Sequence, residues 1–166
     1  MVYRIFSIAW ICLASSSCIL AQSGWTKVTD TTVSLNQLIK IKSPGKYKGA
    51  SWVDVNNDGL LDLFAIPNKL FINKGNLIFE EKITAINPTP RQLAGGNSWA
   101  DIDNDGDLDV VIAQNPCGLY INDGKGNFLN ASARLENIAD YAAWAAAVAD
   151  VNNDGRLDIV FAHAVG

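Results

Sequence analysis

Three times along the chain a short apolar run leads into an acidic, glycine-containing loop, and a second apolar run leads out of it. The entering runs are ASWV before Asp54, NSWA before Asp101 and AAVA before Asp150, with Trp52, Trp99 and Val148 at matching places. The leaving runs cover residues 63–66, 110–113 and 159–162. Apolar stretches of this length, rich in β-branched and aromatic residues and bounded by turn residues, predict a strand, loop, strand hairpin in each unit. A third strand is predicted at residues 70–73 (LFIN) and 119–122 (LYIN), each ending in a turn with glycine, and a fourth begins at Phe79 and at Phe128. Asn73 to Phe79 and Asn122 to Phe128 are both 6 residues apart, and each Phe stands 22 residues before the next loop. Only the connection between the second and third strands differs, by two residues around Asn115, Pro116 and Cys117.

The loops begin at residues 54, 101 and 150, 47 and 49 residues apart, a period in the range of propeller blades. Four strands per unit is a blade, so the expected fold class is all-β, about two and a half four-stranded antiparallel blades of an incomplete β-propeller. Residues 24–30, GWTKVTD, read as the start of a further fourth strand, with Trp25 where Phe79 and Phe128 stand. The expected organisation is an outer strand at 24–30, blades at 48–83 and 96–133, and a partial blade at 143–166, all within a repeat segment spanning 22–166. A closed ring takes about four to eight blades. The chain is therefore expected to be the N-terminal part of a longer protein or a truncated product, its open strand edges covered by the remaining blades or by self-association.

The loops carry the candidate chemistry. In DIDNDGDLD, residues 101–109, carboxylates fall at Asp101, Asp103 and Asp105, Gly106 permits a tight turn, Asp107 can offer its carbonyl, and Asp109 closes the loop. Ca²⁺ takes about six to eight oxygen ligands, which alternate side chains on a curled loop can supply. Two carboxylates about 4 Å apart repel by roughly 4 kcal/mol at an effective dielectric near 20, so this crowding anticipates a cation. DVNNDGLLD (54–62) and DVNNDGRLD (150–158) repeat the pattern with Asn56 and Asn152 at the third place, where an amide oxygen replaces a carboxylate. Three Ca²⁺ sites are expected.

Of the 17 acidic residues, 11 lie in the three loops, leaving 6 elsewhere, against 13 Lys and Arg in the whole chain. The acidity is local, and three bound Ca²⁺ ions would turn the formal charge from −4 to +2. Charge is therefore no argument for a basic partner, and neither nucleic acid nor a membrane span is expected. Residues 1–21 read as a signal peptide, with Arg4, an apolar run at 5–13 too short to span a bilayer comfortably, then Ser15, Ser16, Ser17 and Ala21. The mature chain is expected to be secreted or at the cell surface. Lipid anchoring through Cys18 is the lesser alternative, because Ser15 stands where such signals carry an aliphatic residue. Cys117 then remains alone, either as a small buried apolar residue or as half of a disulfide to another chain, with burial preferred.

These residues resemble the FG-GAP/VCBS repeat family, the calcium-loop propeller repeats of integrin alpha subunits and of many exported bacterial proteins. The resemblance rests on the three loops, on the endings Leu61-Asp62, Leu108-Asp109 and Leu157-Asp158, and on residues 119–128, which are most like the VCBS and cartilage-acidic-protein-like branch. It implies a seven-bladed propeller with Ca²⁺ in the first hairpin of a blade. The implied ligands are Asp54, Asn56, Asp58 and Asp62; Asp101, Asp103, Asp105 and Asp109; and Asp150, Asn152, Asp154 and Asp158. Backbone oxygens of Leu60, Asp107 and Arg156 would complete the three shells. EF-hands and dockerins need an acid at the twelfth loop place, where Ala65, Ile112 and Phe161 stand.

The function expected is a non-catalytic, calcium-stabilised binding or adhesion scaffold for a glycan or protein; the alternative is the propeller portion of a secreted polysaccharide-acting enzyme. For this segment an enzyme is disfavoured. The single His, His163, lies in an apolar strand where a packed imidazole is expected, and cation-bound carboxylates do not suit acid–base work. Core packing is the default for Trp52 and Trp99, while Trp25 and Trp144 stay open between core and sugar platform.

Overall fold

The computed structural model describes residues 49–65, 69–86, 95–136, 138 and 143–163. The expected signal peptide at 1–21 and outer strand at 24–30 lie outside the described residues. Strands β1 (Ala50–Val53), β2 (Asp62–Ala65), β3 (Lys69–Asn73) and β4 (Phe79–Lys82) form one antiparallel sheet in that order. β5 (Asn97–Ala100), β6 (Asp109–Ile112), β7 (Gly118–Asn122) and β8 (Phe128–Asn130) repeat the arrangement. After a 3-10 turn at Ser132–Arg134, β9 (Ala143–Ala149) and β10 (Asp158–His163) pair as a third antiparallel hairpin. These are the all-β, blade-like units that the repeat predicted.

The register is the same in each unit: Trp52 opposes Leu63, Trp99 opposes Val110 and Val148 opposes Ile159. Fourth strands begin at Phe79 and Phe128, as expected. Each second strand begins one residue before the apolar run, at the last loop aspartate, because Asp62, Asp109 and Asp158 already pair across the hairpin with Val53, Ala100 and Ala149.

Alternation assigns the two faces of each sheet to different neighbours, since successive side chains of a strand point to opposite sides. Val53, Phe64, Leu70 and Ile72 of the first sheet pack with Val110, Ile112, Tyr120 and Phe128 of the second in one cluster. Leu63, Phe71 and Phe79 form a separate cluster on the first sheet's other face. Val111, Leu119 and Ala131 of the second sheet meet Ala146, Val148, Ile159 and Phe161 of the third hairpin. A fully buried residue such as Phe64 contributes about 1.5–3 kcal/mol through lost apolar exposure.

Two expectations about aromatic residues need correction. Trp99 fits the core, its ring edge-on to Phe64 of the preceding sheet (5.4 Å) and to Phe128 of its own (6.0 Å). Trp52 makes the matching contact within its own sheet, to Phe79 at 5.9 Å, yet stays 49% exposed. The repeat gives both the same place; among the described residues only Trp99 has a ring of another sheet, that of Phe64, against it. His163, expected to be packed, is exposed, because a register shift between Ala162 and His163 breaks the inward alternation at the end of β10. Cys117 is buried, its thiol donating to the Gln114 carbonyl at 3.6 Å, and burial pushes that thiol's pKa up. Trp144 lies in β9, where its carbonyl accepts the Gly96 N–H at 2.8 Å, tying the third hairpin to the second sheet. Among the described residues no helix is long and apolar enough to cross a membrane.

Candidate metal centres

Each acidic loop curls through two residues in left-handed conformation. At the fourth place stand Asn57, Asn104 and Asn153 (φ 55°, 61° and 58°), and at the sixth Gly59, Gly106 and Gly155 (φ 83°, 94° and 82°). Glycine lacks the Cβ that makes such φ values costly, and asparagine is the side-chain residue that tolerates them best. The Asn-Asp-Gly sequence is therefore a backbone device as well as a source of ligands.

The same hydrogen-bond pattern holds all three loops. The first aspartate accepts two backbone N–H groups from across the loop: Asp54 from Asp58 (3.2 Å) and Gly59 (2.8 Å), Asp101 from Asp105 and Gly106 (both 3.0 Å), Asp150 from Asp154 (3.2 Å) and Gly155 (2.9 Å). The fifth-place carboxylate accepts the N–H of the seventh residue: Asp58 from Leu60, Asp105 from Asp107, Asp154 from Arg156. The ninth-place aspartate accepts the N–H of the second residue, at 3.1 Å for Asp62, 2.9 Å for Asp109 and 3.1 Å for Asp158. An ionised carboxylate has about four lone-pair sites, so two N–H bonds leave capacity for a cation.

Carboxylate oxygens of Asp101, Asp103 and Asp109 lie within 4.8 Å of one another, combining an exposed, a half-buried and a buried side chain. Such an all-oxygen set suits a hard divalent cation. Asp105 is outside this trio. In the other two loops the third-place amides of Asn56 and Asn152 donate to Asp58 (2.9 Å) and Asp154 (3.1 Å), while their oxygens accept N–H from the same residues. Among the described residues the three-carboxylate convergence is confined to the middle loop, the one with Asp at the third place.

Asp62 and Asp109 are fully buried at the start of β2 and β6. Burial raises both pKa values above the usual aspartate value, opposed by the N–H groups that each accepts, with the neighbouring loop carboxylates adding a further upward push. A cation would offset both the desolvation and the mutual repulsion.

Two asparagines outside the loops belong to the site, although sequence reasoning placed them only at a strand end. Asn73 donates its backbone N–H to Asp62 (2.7 Å) and its side-chain amide to the Leu61 carbonyl (3.0 Å). Asn122 donates its N–H to Asp109 (2.8 Å) and its amide to the Leu108 carbonyl (3.2 Å). Their signal was present in the repeated LFIN and LYIN, where a polar residue closes an apolar strand 11 or 13 residues after the aspartate it holds.

Repeated four-stranded antiparallel sheets, each with an aspartate-rich loop in its first hairpin, define a β-propeller-type repeat protein with candidate metal loops. The FG-GAP-like repeat matches at residues 54–112 and again at 101–161, and the chain belongs to this repeat family. Both matches begin at the first aspartate of a loop. No curated protein matches the chain significantly.

Proposed function

We propose that this chain is a calcium-stabilised propeller segment that acts outside the cytoplasm as a binding or adhesion scaffold for a glycan or protein. The observation that carries the calcium reading is the convergence of Asp101, Asp103 and Asp109 on a loop whose backbone form recurs at 54–62 and 150–158. Oxygen donors favour Ca²⁺ over softer metals, and a loop rather than a rigid octahedron suits its variable coordination. The proposed ligands are the side chains at places one, three, five and nine of each loop, with the carbonyls of Leu60, Asp107 and Arg156.

The chain's own residues do structural work in this reading. Asp62 and Asp109 begin β2 and β6 and accept N–H from a loop and from a third strand, so a cation held there would brace three parts of one sheet. Export is supported by the apolar run at 5–13 and the small residues up to Ala21. Calorimetric titration of the chain with Ca²⁺ tests the proposal: three equivalents are expected, with the loop at 101–109 the tightest because it has the most carboxylates, and Asp103→Ala should remove that site. Absence of binding refutes the calcium reading. Glycan-array and protein-capture assays in calcium and in chelator test the scaffold, which requires calcium-dependent capture.

A further inference from the structure

Loops 54–62 and 101–109 are joined across the seam between the first two sheets by two hydrogen-bonded paths. In the first, the amide of Asn57 donates to the Asp107 carboxylate at 2.5 Å, linking the fourth place of one loop to the seventh of the next. In the second, one residue serves both loops: the Val55 N–H donates to Asp62 (3.1 Å), and the Val55 carbonyl accepts the Asn122 amide (2.9 Å). Asn122 in turn donates its own N–H to Asp109 (2.8 Å), so a chain of three bonds connects the closing carboxylates of the two loops. Val55 and Asn122 are both buried, and Asn122 is held from its other side by N–H groups of Asp123 (3.0 Å) and Gly126 (3.1 Å), so the link is shielded from water. Among the described residues no hydrogen bond joins the loop at 150–158 to that at 101–109; the Asp158 carboxylate accepts the N–H of its own loop's Val151.

We infer that loops 54–62 and 101–109 bind divalent cations as a cooperative pair, with the amides of Asn57 and Asn122 as positioning groups. The inference rests on the calcium reading above. Ordering one loop fixes Val55 and Asn57, and through them the residues that hold Asp107 and Asp109. Less conformational entropy is then lost when the second loop closes, which is positive coupling without any large rearrangement.

A ¹⁵N-labelled chain titrated with Ca²⁺ separates the loops, because the amide signals of Gly59, Gly106 and Gly155 each report one of them. Disabling the first loop with Asp54→Ala and Asp58→Ala is expected to raise the calcium midpoint at Gly106 by about fivefold or more, the lower end of ordinary site–site coupling, and to leave Gly155 unmoved. In a chain also carrying Asn57→Gly and Asn122→Ala the same comparison should shift Gly106 by less than about twofold. Asn57→Gly alone guards against misfolding through the buried Asn122: Asn57 is exposed and has positive φ, so glycine keeps the backbone and removes only the amide. It should weaken the coupling by itself. A Gly106 midpoint indifferent to the first loop overturns the inference, as does a shift undiminished by the Asn57 and Asn122 changes, or an equal shift at Gly155. Glycine signals unmoved by calcium would instead overturn the calcium reading and this inference with it.

Discussion

Asp103 and Asp109 differ in how they are held, and their replacement should separate a ligand's contribution from a framework's. Asp109 is fully buried and accepts N–H from Ile102 and Asn122, whereas Asp103 is exposed and has no hydrogen bond among the described residues. Asp109→Ala leaves two inward N–H groups without partners, at about 1–3 kcal/mol each. Relief of the buried charge offsets part of this, since burial already raises its pKa, so a net loss of about 2–4 kcal/mol is expected even without metal. Asp103→Ala in chelator should change stability by less than about 0.5 kcal/mol, as for an ordinary surface position. In calcium the two converge in one respect, because either change removes a ligand. Saturating a site at a hundredfold excess over Kd stabilises the fold by about 2.7 kcal/mol, which Asp103→Ala should forfeit. Urea unfolding followed by tryptophan fluorescence, run in chelator and in millimolar calcium, measures all four quantities. Equal losses for both variants in chelator, or an Asp109→Ala chain as stable as the parent there, would refute this division of roles.

Acidification should weaken calcium binding from a pH above the usual aspartate value of 3.8, because Asp62 and Asp109 hold their protons more tightly than free aspartate and a proton must leave before a cation enters. Titrations across a pH series check this, and a loss that begins only below 3.8 would contradict it. In chelator the sign reverses for these two groups: their burial penalty is present above the raised pKa and is relieved as pH falls through it. Gly106→Ala should cost about 1–2 kcal/mol through backbone strain alone, since φ is +94° and the space around its Cβ position is open, while Asn104→Gly should be near neutral in the same denaturation assay. Trp99→Ala should cost about 3 kcal/mol or more and Trp52→Ala roughly half of that, read from unfolding midpoints; equal effects would show that the contact to Phe64 across the seam contributes nothing.

Much of this protein is determined locally and was legible in the residues. A hairpin needs apolar runs of the right length and a loop that can turn; ASWV, NSWA, the Asn-Asp-Gly turns and the Phe79 and Phe128 strand starts supply these within a few residues of one another. The candidate metal loops belong to the same class, because their donors are spaced on nine contiguous residues. Other features depend on which sheet lies next to which. Trp52 and Trp99 occupy one place in the repeat, but among the described residues only Trp99 has a ring from another sheet against it. β9 reaches back to Ala143, beyond the four residues that the apolar pattern indicated, because backbone bonds from Gly96 to Trp144 and from Ala143 to Gln114 extend it along the second sheet. The role of Asn122 is the clearest case. Its partners Val55 and Asp109 are 67 and 13 residues away in the chain, and only the packing of two sheets brings the closing aspartates of neighbouring loops onto one hydrogen-bonded path. Periodicity and turn chemistry act over single elements, so the sequence alone determined hairpins and loops; contacts across a seam depend on the relative placement of whole sheets, which only the tertiary structure decides.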